Sequence, residues 1–215
     1  MGPAPIATAF LLTSLLAVVL LETAAALASG FGWLPGLWLI AATRTAQLLT
    51  LLALAAMPGG GLNRLGLDRK RMLPGLKTGL AWSAGFAAAA ALLFAVLWVA
   101  GWNPLVLIRS PLPPTGSQQV LFFVVGGMIA PLTEEAVFRG LIFGYLRRWG
   151  LTAAILISTA LFAVFHLGPA IPVTQIAGGL VFAVAYHQSG SLMTPIVIHG
   201  LGNLAIFSLS LPYFH

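Results

Sequence analysis

Seven stretches of mostly apolar residues follow one another along the chain, at 5–28, 34–57, 76–100, 118–145, 152–167, 173–187 and 192–209. A helix needs about 20 such residues to cross a bilayer. In hydrocarbon the backbone must satisfy its own hydrogen bonds, so stretches of this kind fold as helices and pack as a bundle. The fifth and sixth are short for a full span. They are bounded by Gly168-Pro169, Pro172 and the turn Gln188-Ser189-Gly190-Ser191. Composition agrees: hydrophobic residues make up 60%, charged residues 7%, and the mean hydropathy is +1.02. A soluble domain carries about 25% charged residues. Ten Lys and Arg with four Asp and Glu cannot wet a soluble surface of this size. A water-soluble enzyme, a disordered chain and a nucleic-acid binder are excluded. The expected fold is all-α, a polytopic bundle of about seven transmembrane helices around an intramembrane polar cavity, with 1–215 as a single integral membrane domain. The absence of cysteine removes disulfides, thiolate metal sites and a cysteine nucleophile.

The first stretch has no Lys or Arg before it, the first cation being Arg44, and its apolar run exceeds the core of a signal peptide. It is expected to be a retained span. Cations concentrate in two connections. Arg64, Arg69, Lys70, Arg71 and Lys77 lie in 58–77, and Arg147 and Arg148 follow the fourth stretch. The connection 101–116, rich in proline, holds only Arg109. Basic loops stay on the cytoplasmic side. Seven alternating spans then place the N-terminus in the cytoplasm and His215 outside as a solvated end. The pI near 10.9 is therefore topological, and anionic lipid is the natural partner of the basic loops. The Ala, Leu, Gly and Arg bias points to a bacterial inner membrane.

An ionisable side chain near the bilayer centre costs at least about 2.5–3.5 kcal/mol and marks function by default. The fourth stretch holds Glu134, Glu135 and Arg139, the fifth His166, and the seventh His199 and Asn203. Glu135 and Arg139 are four apart and pair on one helix face. Glu134 lies about 100° round the helix and is left for another partner. His199 and Asn203 share a face, as do Phe162 and His166. Together they offer a carboxylate, two imidazoles and an amide, which suits water activation and oxyanion stabilisation. Blander roles compete: an ion pair for Glu135–Arg139, interhelical hydrogen bonds for single histidines, packing for Phe162, an interfacial place for His187, and a structural pair for Glu22 with Arg44. Asp68 is the only aspartate, so a two-aspartate intramembrane protease is excluded. No H-E-x-x-H occurs, and Ser189 sits in a turn rather than a G-x-S-G setting.

Thr133-Glu134-Glu135-Ala136-Val137-Phe138-Arg139-Gly140 resembles the E-E-x-x-x-R motif of the CAAX protease and bacteriocin-processing (CPBP, or Abi) family. Phe162-Ala163-Val164-Phe165-His166 resembles its F-x-x-x-H motif, and His199-Gly200-Leu201-Gly202-Asn203 its H-x-x-x-N motif. The resemblance covers 118–209, the expected catalytic core. The family is similar to type II CAAX prenyl endopeptidases, whose fold is a bundle of about eight helices around a water-filled cavity; here seven are read. The resemblance implies that Glu134 and His166 activate the attacking water, that His199 and Asn203 stabilise the oxyanion, and that Glu135, Arg139 and Phe162 support the site.

Glu134, His166 and His199 also form a two-His, one-carboxylate set that zinc would take. Asn203 suits an oxyanion donor better than a ligand, so no metal or other cofactor is the favoured expectation. The function expected is an intramembrane endopeptidase acting on a membrane-presented peptide or protein, near its C-terminus. The alternative is a non-catalytic membrane protein using the same cluster as a proton or ion pathway or a scaffold. No internal repeat of the transporter kind is found. One conflict stands: counting 1.5 Å per residue puts His199 about 10 Å into the seventh stretch and His166 near the far end of the fifth. They meet only if helix five is displaced or the boundaries differ.

The charge asymmetry makes a first prediction. A cysteine at Asn63 stays unlabelled by an impermeant thiol reagent added to intact cells, while one at Ser110 is labelled. The reverse pattern inverts the topology.

Overall fold

A computed structural model describes residues 5–32, 34–57, 61–168 and 171–211; Pro169 and His215, named above, lie outside them. Among the described residues seven helices run in order: α1 (Thr8–Gly30), α2 (Gly36–Ala56), α3 (Arg69–Val99), α4 (Gly116–Trp149), α5 (Leu151–Val164), α6 (Val173–Ser189) and α7 (Met193–Leu209). Among the described residues there is no strand. The first four helices are long and apolar enough to cross a membrane. The last three have 14, 17 and 17 residues. Leu12, Leu16, Val19 and Leu20 of α1 and Leu92, Leu93, Val96 and Val99 of α3 are exposed. The polar groups Gln47, Thr133, Glu135, Arg139, Thr194 and His199 are buried. An apolar outside around a polar inside is the arrangement a bilayer selects, and the chain is an integral membrane protein.

The helix ends follow from local chemistry. Asp68 accepts from the Lys70 N–H at 3.0 Å and caps α3, which therefore begins seven residues before the expected 76 and carries Arg69, Lys70, Arg71 and Lys77 on the helix. Thr115 caps α4 in the same way. Gly150, at φ 110°, separates α4 from α5 with a single residue. α5 stops at Val164, so His166 lies in the turn beyond it rather than within a helix reaching 167.

α4 is not uniform. Val125–Ile129 and Ala136–Phe143 are wound as π-helix, on either side of the α-helical segment Ala130–Glu135. Such widened turns concentrate at functional sites. The first precedes Pro131, whose missing N–H interrupts the α ladder.

α7 is the central element, packed against α3, α4 and α6. It lies close to α3 because Gly79 presents no side chain: a Cβ there would stand 2.8 Å from Val197 Cβ and 2.9 Å from the Thr194 carbonyl oxygen. On the other side, a Cβ on Gly200 would stand 2.7 Å from the Gly127 carbonyl oxygen of α4. The turn joining α6 to α7 is buried, with Ser191 and Leu192 each 1% exposed. The short 3-10 segment Leu62–Leu65 and Gly66 cover it. Leu192 N–H donates to the Gly66 carbonyl at 2.9 Å, and the Tyr186 hydroxyl donates to the Leu65 carbonyl at 3.2 Å.

That cover resolves the depth conflict. Glu134 and His166 each lie 16 residues from Gly150, on opposite sides of it, at matching heights in the α4–α5 hairpin. α7 begins inside the protein, not at its rim, so His199 needs only six residues from Met193 to reach them. Helix five does not have to be displaced.

α1 and α2 pair alongside. Arg44 Nη1 lies 3.0 Å from Glu22 Oε2 and 2.8 Å from Gln47 Oε1, so the expected interhelical pair forms. Thr133 Oγ1 donates to the Arg44 carbonyl at 2.9 Å and ties α2 to α4.

The α3–α7 contact makes a second prediction. Gly79→Ala overpacks a backbone contact and lowers the melting temperature in detergent by several degrees, overpacking costing about 1–3 kcal/mol. Gly85→Ala, in the same helix with nothing within 4 Å of its Cβ, holds or raises it, as the higher helix propensity of Ala dictates.

Candidate active site

The Glu135–Arg139 pair organises the interior. Both side chains are 0% exposed, and Arg139 Nη1 donates to Glu135 Oε1 at 2.8 Å. A buried charge survives only if it is paired and hydrogen-bonded. Arg139 gains a second acceptor, the Gly179 carbonyl of α6, at 3.1 Å. Its guanidinium carbon lies 4.7 Å from the Phe162 ring centroid and 5.1 Å from that of Phe182. Gly179 leaves the room for this, since a Cβ there would meet Thr159 Cγ2 at 2.9 Å.

Glu135 also holds a histidine. His199 Nδ1 lies 2.8 Å from Glu135 Oε1. A carboxylate only accepts, so Nδ1 carries a proton and Nε2 faces the other way. Phe182 stacks on the His199 ring at 4.8 Å and 19°, and Phe162 meets it edge-on at 5.6 Å and 89°. The imidazole is thus held by two aromatic rings and at one nitrogen. Glu135 Oε2 and Arg139 Nε are buried without a hydrogen-bond partner among the described residues.

His166 is oriented by the same logic. Its Nδ1 lies 2.7 Å from the Phe162 carbonyl oxygen, an acceptor, so Nδ1 donates and Nε2 is the free nitrogen. Its ring rests on Phe162 at 4.5 Å.

Both free nitrogens point at Glu134. His166 Nε2 lies 3.7 Å and His199 Nε2 3.8 Å from Glu134 Oε2. These gaps are too long for direct hydrogen bonds, and a single water can bond to both sides of each. The side chains are partly open, His166 at 29% and Glu134 at 14% exposure. Asn203, one turn along α7 from His199, donates from Nδ2 to the Gly126 carbonyl at 2.7 Å.

Every site residue read from the sequence is placed at or beside this cluster: Glu134, His166, His199 and Asn203, with Glu135, Arg139 and Phe162 behind them. Among the described residues no three His, Cys, Asp or Glu side chains are grouped so as to hold a metal ion. The sequence places α6 but does not reveal its part in the site, the Gly179 carbonyl and Phe182. The signal was faint: Gly178-Gly179 permits close approach, and Phe182 lies one turn on.

Residues 116–205 match the family model described as type II CAAX prenyl endopeptidase Rce1-like. Over this segment the chain is similar to that family. The membrane-embedded CAAX protease MroQ of Staphylococcus aureus (strain USA300) is 36% identical over 101 residues, which is 43% of this chain and 40% of that relative. The chain thus matches less than half the length of this curated relative. No solved structure matches. The Rce1-like segment contains α4 to α7 up to Ala205, and hence all seven residues of the cluster; α1 to α3 lie outside the match.

The buried pair makes a third prediction. Glu135→Gln strands the Arg139 guanidinium, a loss of about 3–5 kcal/mol for a broken buried pair, and the melting temperature in detergent falls. Glu135→Gln with Arg139→Gln recovers part of it, because no lone charge remains. Equal melting of the single and double variants refutes the pair as a stability element.

Proposed function

We propose that this protein is an intramembrane endopeptidase that hydrolyses a peptide bond near the C-terminus of a membrane-presented peptide or protein, using water activated by Glu134 and His166. The observation that carries the reading is the convergence of two oriented imidazole Nε2 atoms on Glu134 Oε2, at 3.7 and 3.8 Å. A water held there has two proton acceptors, the carboxylate and the His166 lone pair. As its oxygen bonds to the scissile carbonyl carbon, a proton passes to Glu134. The carbonyl π electrons move to the oxygen. When that oxyanion collapses, the C–N bond breaks and the proton passes from Glu134 to the departing amine nitrogen.

The oxyanion needs donors fixed before it forms. Asn203 has a second amide N–H beyond the one given to Gly126. His199 gives Nδ1–H to Glu135, so it reaches the oxyanion as a donor only when Nε2 carries a proton as well. In that form two carboxylates, Glu134 and Glu135, balance two cations, Arg139 and His199. The Rce1-like match and the CAAX protease relative support a prenylated CAAX-type tail as the first substrate to try. The reading includes no bound metal, with zinc on Glu134, His166 and His199 as the competing arrangement, and a location in the bacterial inner membrane with the N-terminus cytoplasmic.

The test is cleavage of a quenched fluorescent farnesylated CAAX peptide by the full chain in nanodiscs. Glu134→Gln keeps the size and hydrogen bonding of the side chain but removes the basic carboxylate. It loses at least about 10²-fold in kcat, with an unchanged melting temperature. Exhaustive chelation leaves the wild-type rate intact. Full activity in Glu134→Gln refutes the general base. Activity lost on chelation and restored by stoichiometric zinc refutes the metal-free route. A wild type inert on the peptide, with the cluster intact, favours the non-catalytic alternative.

A further inference from the structure

The partner of Asn203 is a backbone carbonyl that its own helix cannot satisfy. In the first π turn of α4 the Ala130 N–H donates to the Val125 carbonyl, five residues back. The next carbonyl, Gly126, would in that register receive the N–H of residue 131. Residue 131 is proline and has none. An unpaired carbonyl inside a membrane protein is costly, and Asn203 Nδ2 fills the vacancy from α7 at 2.7 Å. The approach depends on bare backbone: a Cβ on Gly126 would stand 2.8 Å from the Phe207 ring, and one on Gly200 would stand 2.7 Å from the Gly127 oxygen. Pro131, itself buried, sits three residues before Glu134 and touches no reacting group in the proposed mechanism.

We propose that Pro131 is a positioning residue for Asn203. The N–H it lacks keeps the Gly126 carbonyl available, that carbonyl binds one hydrogen of the Asn203 amide, and the planar amide then holds its second hydrogen in one direction. A residue with an N–H at 131 would donate to Gly126, or let the turn return to α register, and either outcome gives the Gly126 oxygen a second donor that competes with Asn203. The kinetic consequence rests on Asn203 acting as the oxyanion donor; the exchange of hydrogen bonds does not.

The experiment is a double-mutant cycle in the full chain with Pro131→Ala, Asn203→Ala and both. Melting temperature is measured in nanodiscs, with kcat and KM on the farnesylated CAAX peptide. Asn203→Ala orphans the Gly126 carbonyl and lowers the melting temperature by about 3–6 °C. In the Pro131→Ala background the same change shifts it by less than about 1 °C, because residue 131 now supplies the donor. Pro131→Ala alone holds or raises the melting temperature. It lowers kcat about 10-fold at constant KM, a loosened rather than a deleted oxyanion donor, and costs nothing further in the Asn203→Ala background. Equal melting losses in both backgrounds overturn the exchange. A further kcat loss in the Asn203→Ala background, or an unchanged kcat in Pro131→Ala, overturns the positioning role. A wild type that does not cleave the peptide but shows the non-additive melting refutes the protease reading and leaves the Pro131–Asn203 coupling standing.

Discussion

Arg139 is a guanidinium with no exposed surface in a chain that turns its leucines outward. Its cation is tolerable only with a carboxylate, further acceptors and aromatic faces around it. Four helices supply these. α4 brings Glu135, α5 brings Phe162, α6 brings the Gly179 carbonyl and Phe182, and α7 joins through His199, which shares Glu135 Oε1. Seating this one charge therefore seats the α5–α7 bundle against α4. The catalytic candidates inherit their geometry from it. His199 is aimed because Glu135 takes its Nδ1, and Glu134, on the adjacent helix face, is left opposite the two free imidazole nitrogens.

The central helix α7 carries two site residues and is tied to α3 and α4 through Thr194, His199 and Asn203, and close packing lets it sit at that height. Glycines at 75 and 79 of α3 and at 126 and 127 of α4 remove the side chains that would hold it away. The segment before α3 closes over the α6–α7 turn with two hydrogen bonds, from Leu192 and Tyr186. α3 lies outside the Rce1-like match, and through these contacts it still governs the depth of His199. The widened turns of α4 serve the same end. One leaves the Gly126 carbonyl for Asn203; the other follows directly on the Glu134–Glu135 pair.

Much of this was legible from residues alone. Apolar runs gave seven helices with most ends within a few residues, because transfer free energy and turn chemistry are local. The i, i+4 spacing gave the Glu135–Arg139 pair, and the 100° step separated Glu134 from it. Opposite charges on neighbouring spans anticipated Glu22 with Arg44. Hydropathy alone puts the start of α3 too late, since its first two turns are basic and polar and the Asp68 cap does not register in it. The contribution of α6 to the site is not legible in the sequence, because a backbone carbonyl and a phenylalanine carry no charge.

The sequence by itself determined that the chain is helical, that it belongs in a bilayer, and which ionisable side chains would have to find one another inside it. Each follows from short-range periodicity and from the cost of placing charge in hydrocarbon. Only the tertiary structure decided that His199 and His166 share a depth, that Glu135 serves an arginine and a histidine at once, and that Asn203 answers a carbonyl left open by Pro131. Those outcomes depend on which remote segment buries which turn and on how closely two backbones approach. Such contacts join residues tens of positions apart, and no local pattern encodes them.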